Sequence, residues 1–344
     1  MTADAPIGGR DPATPGAPCV PIAVVLATRN RASGALRAAR SILVCDHPSF
    51  TLCIVDQSDD AATRSALAEL AADPRVEVIA TAPRGLSAAR NLGVARSRAP
   101  LIAFTDDDCT AEPGWLPALA AAFAGDADVG VVFGQVVAAP YDRGSGFITA
   151  YGVARPQTVR SLGRKSRVEG IGACMAVRRT AWDALGGFDE SLGAGTALCA
   201  GEDTDFAVRV LIAGGSVHET PAARVVHHGF RSWDEGRATI AGYMIGLGAV
   251  HVKMLRLARL RAAQPMSALG WRWLTRGPVV DLNHRPPRLR RLSAFLRGAW
   301  RGWRLPLDRR SGHFRAPSAR AEEAQPIDRN PRAPGSGPAS GPSR

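Results

Sequence analysis

Short apolar runs at 22–27, 51–55, 76–79, 101–104 and 130–137 alternate with stretches of helical period at 33–43, 61–72, 87–96 and 113–123. Apolar runs this short, bounded by polar residues, predict buried strands rather than helices. Strands that alternate with helices along a chain pair into a mostly parallel sheet with helices against it and right-handed crossovers. The expected fold is therefore an open α/β sheet. Its apolar runs end in polar, chemically useful residues rather than in plain turns. Ser87 is expected to cap the third helix.

The fourth run, Leu101-Ile102-Ala103-Phe104, leads through Thr105 into three consecutive acids, Asp106-Asp107-Asp108. In open α/β sheets ligands bind at the carboxyl ends of the strands. Like charges gathered there repel unless a cation offsets them, and a divalent metal is the usual agent. The triplet alone equally fits a solvated acidic turn ahead of the next helix.

At 344 residues, 46% of them hydrophobic, the chain can bury a sizeable core. The six cysteines stand apart, without CxxC or zinc spacing, and the N-terminus lacks an apolar signal core. Free thiols and a cytoplasmic setting are expected. Cys109 follows the triplet with no base beside it in sequence and is read as packing. Charge is uneven: residues 1–229 carry 21 Lys+Arg against 24 Asp+Glu, whereas residues 230–344 carry 22 against 7, a net +15. The chain divides into a tail at 1–20 and a balanced catalytic unit at 21–232. A helical, cationic extension follows at 233–314, then a tail at 315–344. Both tails, rich in Pro, Gly and Ala, are expected to be disordered.

Further segments would converge on the triplet if these strands share one sheet. Thr28-Arg29-Asn30-Arg31 ends the first strand without a dinucleotide-type glycine cradle. Asp56 ends the second, placed to meet a base or ribose or simply to form a turn. Gly85-Leu86-Ser87 opens a helix whose N–H groups, with Arg84, Arg90 and Asn91, suit a nucleotide phosphate. Glu202 and Asp203 begin a later helix, where they either complement its dipole or supply a general base. His227-His228 ends a short strand and offers imidazole to a metal. Loops at 140–167 and 193–199 are expected to be irregular, with Gly144-Ser145-Gly146 mobile.

In this order the segments resemble the family 2 glycosyltransferases, inverting enzymes of the GT-A fold. The likeness covers about residues 22–230. It rests on Val24-Val25-Leu26-Ala27-Thr28-Arg29-Asn30-Arg31, Val55-Asp56, Gly85-Leu86-Ser87-Ala88-Ala89-Arg90-Asn91-Leu92-Gly93 and Phe104-Thr105-Asp106-Asp107-Asp108. Further on it includes Gly186-Gly187-Phe188-Asp189-Glu190, Gly201-Glu202-Asp203-Thr204-Asp205 and His227-His228-Gly229. The resemblance implies a GT-A-type mixed, mostly parallel sheet flanked by helices. It implies Mn²⁺ or Mg²⁺ held by Asp106 and Asp108, with Asp107 sharing that work and His227 as an added ligand. Thr28, Arg29, Asn30, Asp56, Arg84, Arg90 and Asn91 would bind the nucleotide half of a donor, UDP-linked first and dTDP- or GDP-linked as alternatives. Asp203 would be the catalytic base and Glu202 its supporting acid, acting on a hydroxyl acceptor that is a glycan, a lipid-linked sugar or a small molecule. Competing readings are a nucleotidyltransferase-like enzyme and a non-catalytic carbohydrate- or membrane-binding protein on the same scaffold.

The cationic extension holds fifteen residues, 238–252, without Asp, Glu, Lys or Arg, fewer than the roughly 18–20 that span a bilayer. No transmembrane helix is expected from that stretch. Four of the seven tryptophans lie at 271–303, and Arg297, Arg301 and Arg304 interleave with Trp300 and Trp303. That pattern fits contact with the inner face of the plasma membrane, or a helix packed on the catalytic unit with a solvated arginine face. Nucleic acid is disfavoured because no recognition module is present.

Overall fold

The computed structural model describes residues 20–82, 85–258, 271 and 287–315. Arg84 and nearly all of both expected tails lie outside them. Strand β1 (Ile22–Thr28) pairs in parallel with β2 (Phe50–Asp56) and β4 (Leu101–Asp106), and β3 (Val76–Ala80) extends the sheet beyond β2. Next to β4 the sheet continues through β9 (Met175–Arg178), β6 (Val129–Ala138), β10 (Ser216–His227) and β5 (Cys109–Ala111). Strand β9 runs against both β4 and β6, while β6 and β10 are parallel. The sheet is thus mixed and mostly parallel.

Its strands read as unbroken apolar runs because both faces are covered. Alternate residues of β1 point to opposite sides. Ile22, Val24 and Leu26 pack with Ala35, Ala38 and Ile42 of α1 (Ala32–Leu43) and with Trp115 and Leu119 of α4 (Trp115–Ala124). Val25 faces Val94 of α3 (Leu86–Ala95) and an aromatic cluster of Phe104, Trp182, Phe188 and Phe206. The residues between β2 and β3 form α2 (Ala61–Ala68) and one 3₁₀ turn (Glu69–Ala72) rather than a single helix. Trp182 belongs to α5 (Arg179–Leu185), and Phe206 to α6 (Glu202–Ile212).

The segment expected to be irregular is partly ordered by partners distant in sequence. Gly146 lies in β7 (Gly146–Ile148), which pairs with β11 (Phe230–Ser232), and β8 (Gln157–Val159) pairs with β10. Strand β10 is also longer than the short strand expected before His227-His228, with a register shift between Glu219 and Arg224. Ser87 does not cap α3. Gly85 holds that position, and the Ser87 hydroxyl instead donates to Leu192 O at 2.7 Å.

Two helices follow the sheet, α7 (Trp233–Ala258) and α8 (Arg288–Arg304). Helix α7 has 26 residues and an 18-residue window of mean hydropathy 1.3, so by length and composition it could cross a membrane. The uncharged stretch 238–252 is shorter because Lys253 interrupts it. In the fold Lys253 is a buried, internal residue of the helix, and 44% of the window is covered by protein. Ile240, Met244, Val250 and Met254 share one core with Leu192, Leu198, Val208 and Phe295. The two helices approach through glycines: a Cβ at Gly248 would lie 2.0 Å from Phe295 O, and one at Gly298 only 1.9 Å from Ile245 O.

A buried charge network ties α7 to the sheet. Lys253 Nζ lies 2.6 Å from Asp189 Oδ2 and 2.7 Å from Asp205 Oδ1. Arg209 Nε lies 2.9 Å from Asp205 Oδ2, and the Phe314 N–H donates to Asp189 at 2.7 Å. Burial favours a neutral Asp205, but Lys253 and then Arg209 outweigh it and keep the carboxyl below its ordinary range. Removing one partner of such a network leaves uncompensated buried charge, which costs about 3–5 kcal/mol. Lys253→Met is expected to lower stability by roughly that amount. Chemical denaturation read by circular dichroism checks this, and a loss under about 1 kcal/mol would contradict it.

Candidate active site

The carboxyl ends of β1 and β4 open onto a cavity of about 500 Å³. Register sets Ala27 beside Asp106, so Thr28 and the acid triplet share one sheet edge. The three acids then turn to different partners. Asp106 Oδ1 accepts from Arg90 Nη2 at 2.7 Å. Asp107 accepts from the Thr28 hydroxyl at 2.8 Å and from Arg31 Nη1 at 2.9 Å. Asp108 Oδ2 lies 2.7 Å from the same Arg31 nitrogen, and its Oδ1 faces His227 Nε2 at 3.2 Å. Burial raises the Asp107 pKa above its ordinary value despite Arg31. Asp108 behaves oppositely: burial opposes ionisation, yet the His227 hydrogen bond and charge, with Arg31, hold its carboxyl below the usual range.

The backbone brings His227 to Asp108. Strand β10 runs against β5 with His227 opposite Cys109, and His228 N–H donates to Asp108 O at 2.8 Å. His228 itself points away, to Thr110 at 3.0 Å, so of the two histidines His227 is the one at the cavity.

Asp108 and His227 suit a divalent cation. His227 Nδ1 lies 2.7 Å from Thr149 O, which fixes the proton on that nitrogen and directs the Nε2 lone pair toward Asp108. Carboxylate oxygen with imidazole matches Mn²⁺ and tolerates Mg²⁺. Without a metal the same geometry holds a proton: burial opposes the charged ring, but Asp108 raises the His227 pKa above its ordinary value. Gly229 leaves this space open, since a Cβ there would lie 2.6 Å from both Asp108 Oδ2 and His227 Nε2. The Cys109 sulfur is within 4.8 Å of these ligand atoms, but burial pushes its thiol far up, so it stays protonated and is a poor ligand. Asp106, expected beside Asp108 on the metal, gives one oxygen to Arg90 instead and stands outside this group.

Across the cavity, α6 starts at Glu202 behind Gly201. Asp203 Oδ2 accepts from Gly172 N–H at 2.8 Å and Oδ1 from Thr204 N–H at 2.5 Å, contacts that fix the orientation of the carboxylate. Glu202 is buried, and burial, then the Asp203 charge, push it up to about 7 although Arg90 Nη1 lies 3.1 Å away. Glu202 and Asp203 both line the cavity.

Several sequence expectations need correction. Arg90 is 1% exposed, bridges Asp106 and Glu202, and lies over the Phe104 and Phe188 rings; it is an internal counter-ion rather than a phosphate ligand. Asn91 pairs with Phe188 N and O and with Glu190, fastening α3 to the loop after α5. The first N–H of α3, at Leu86, donates to Ala194 O and is not free for a phosphate. Arg29 and Asn30 hold the Asp59 turn, and only Arg29 of the two lines the cavity. Asp56 is buried with Oδ1 on the Ser58 N–H, and its neighbour Gln57 lines the cavity in its place. Cavity residues the sequence did not single out include Lys165, Arg231 and Tyr243. Their chain segments carry no motif: Arg231 arrives on β11, Lys165 in the turn after β8, and Tyr243 on α7.

Residues 23–186 match the family model described as glycosyl transferase family 2. This is a family 2 glycosyltransferase domain. A pre-mycofactocin glycosyltransferase of Mycobacterium tuberculosis is 30% identical over 250 residues, covering 67% of this chain and 48% of the relative. The chain thus spans about half the length of the curated relatives it matches. Among solved structures, the Pyrobaculum calidifontis mannosyltransferase PcManGT, in complex with GDP-Man and Mn²⁺, superposes with TM-score 0.55 at 17% identity over 80% of this chain and 73% of that one. S. aureus TarS residues 1–349, in complex with UDP-GlcNAc, gives 0.58 at 14% identity over 81% and 82%. At such identities the likeness establishes the GT-A fold.

Arg90→Met would leave Asp106 and Glu202 without their cation. The variant is expected to lose about 3 kcal/mol or more of stability, because one partner of a buried ion pair is removed. Urea unfolding tests this, and unchanged stability would place Arg90 outside the framework of the site.

Proposed function

We propose that this chain is a metal-dependent, inverting glycosyltransferase that moves a sugar from a nucleoside diphosphate donor, UDP-linked first, to a hydroxyl acceptor. One observation carries the reading: the Asp203 carboxylate and the Asp108–His227 pair line the same cavity. Asp108 and His227 would hold Mn²⁺ or Mg²⁺. Bound there, the cation would neutralise the diphosphate leaving group.

The remaining work belongs to the chain's own residues. Asp203 would take the proton of the acceptor hydroxyl on a carboxylate oxygen. The Gly172 and Thr204 N–H groups hold that carboxylate in place. Glu202, near neutrality beside it, limits the negative charge of this wall. Thr28 and Arg31 fix Asp107, and Arg31 also braces Asp108. The nucleoside half would lie over the ends of β1 and β2, among Arg29, Gln57 and Leu86. The GDP-Man and UDP-GlcNAc bound by the two structural neighbours support a donor of this class.

Asp203→Asn is expected to lower transfer by about 10³-fold or more while metal-dependent nucleotide affinity stays within about twofold. Near-normal turnover in a radiolabelled-sugar assay would remove Asp203 as the base. Asp108→Ala, or EDTA with the unaltered protein, should weaken nucleoside diphosphate binding at least about tenfold by calorimetry. Binding unchanged in both cases would overturn the metal assignment.

A further inference from the structure

Helix α8 carries two apolar stripes. One is buried: Ala294, Phe295, Gly298 and Gly302 pack on α7. The other faces outward at helical spacing, with Leu289 79%, Leu292 37%, Leu296 56%, Trp300 57% and Trp303 66% exposed. Isolated exposed apolar residues are ordinary, but a continuous stripe of five along one helix marks an interaction surface. At its end the Arg256 guanidinium of α7 stands 5.9 Å from the Trp303 ring centre, which still leaves Trp303 mostly exposed.

The charges beside the stripe narrow the partner. Helix α8 contains six arginines and no acid. On a helical wheel Arg290, Arg297, Arg301 and Arg304 form a row between the buried and exposed stripes. The Arg304 guanidinium stands over the Trp300 ring at 4.8 Å, and Arg301 is anchored to Ala197 O at 2.8 Å. Tryptophan with arginine on the rim of an apolar helix face suits the boundary between headgroups and acyl chains. A single helix also presents a convex ridge, which enters a soft interface without needing a matching groove. Six arginines exclude a spanning role, so the helix would lie in the plane of the surface.

We propose that the outer face of α8 docks this protein on an anionic lipid bilayer. The buried stripe keeps the helix attached to α7, and the outer stripe inserts among the lipids. Docking on α8 brings the bilayer beside the 193–200 loop, part of the cavity rim, through the Arg301–Ala197 contact.

The test is vesicle cosedimentation of the full chain, with phosphatidylcholine alone and mixed with phosphatidylglycerol. The unaltered protein should bind the anionic vesicles, and added salt should weaken that binding. Trp300→Glu with Trp303→Glu, and separately Arg290→Gln with Arg297→Gln and Arg304→Gln, should each reduce it about tenfold or more. Both variants should melt at the unaltered temperature, because the changed side chains are exposed. Failure of the unaltered protein to bind, or binding by both variants as tight as that of the unaltered protein, overturns the proposal. So does a lowered melting temperature in both variants, which would mean the stripe is packed. Light scattering that shows a dimer converted to monomer by the tryptophan changes would assign the face to a second copy of the chain instead.

Discussion

Five carboxylates converge on one cavity, and their mutual repulsion is the constraint around which the site is arranged. Asp106, Asp107 and Asp108 arrive on one wall, Glu202 and Asp203 on the other. The fold offsets them with two guanidiniums and an imidazole, each in a fixed place. Arg90 is sealed beneath the two walls and joins them, with Asp106 on one side and Glu202 on the other. Arg31 sits at the open edge, half exposed, across Asp107 and Asp108. The different burial matters: a sealed cation serves as framework, while an exposed one can yield as a ligand's own charges enter. Glu202 relieves part of the remainder, because burial and then the Asp203 charge push it up to about 7.

The same arrangement explains why the site spans so much of the chain. Strands β1 and β4 deliver Thr28 and the triplet, β10 delivers His227, and α6 delivers Glu202 and Asp203. Each depends on an element whose register is fixed elsewhere. His227 reaches Asp108 only because β10 pairs with β5 in antiparallel register, and the shift between Glu219 and Arg224 sets which residues of β10 arrive there. Asp203 is positioned by a backbone N–H at Gly172, in the short 3₁₀ turn that precedes β9.

Much of this was legible in the sequence, for a physical reason. Strands covered on both faces must be apolar at every position, so β1, β2 and β4 announce themselves, and the acids that end them stand out. Asp203 and His227 stand out in the sequence because they sit in ordered company with those strands, and both line the cavity. Arg90 and Asn91 were misread because a side chain's partner decides its role. Glu202 lies 112 positions from Arg90, and Phe188 lies 97 from Asn91. The capping role given to Ser87 failed likewise: its hydroxyl finds Leu192 O across the fold. The 140–167 segment looked irregular because its strands pair with β10 and β11 rather than with each other.

The charge contrast between the two parts of the chain suggests an appendage, yet the packing argues for a shared structure. Lys253 of α7 sits between Asp189, next to the loop that Asn91 fastens, and Asp205, two residues after Asp203. Phe314, beyond α8, donates its N–H to Asp189 as well. The helix that carries the candidate base is therefore braced at its first turn by the part of the chain that follows the family 2 domain. An extension joined only at a surface could be removed with little effect on the cavity. One whose buried lysine reaches two carboxylates beneath it cannot, because Asp189 would then be left in the interior without its cation and Asp205 with Arg209 alone. The row of Arg290, Arg297, Arg301 and Arg304 on α8, by contrast, takes no part in that network and flanks the exposed stripe. Inward-facing charge in this region serves the fold, and outward-facing charge remains available to a partner.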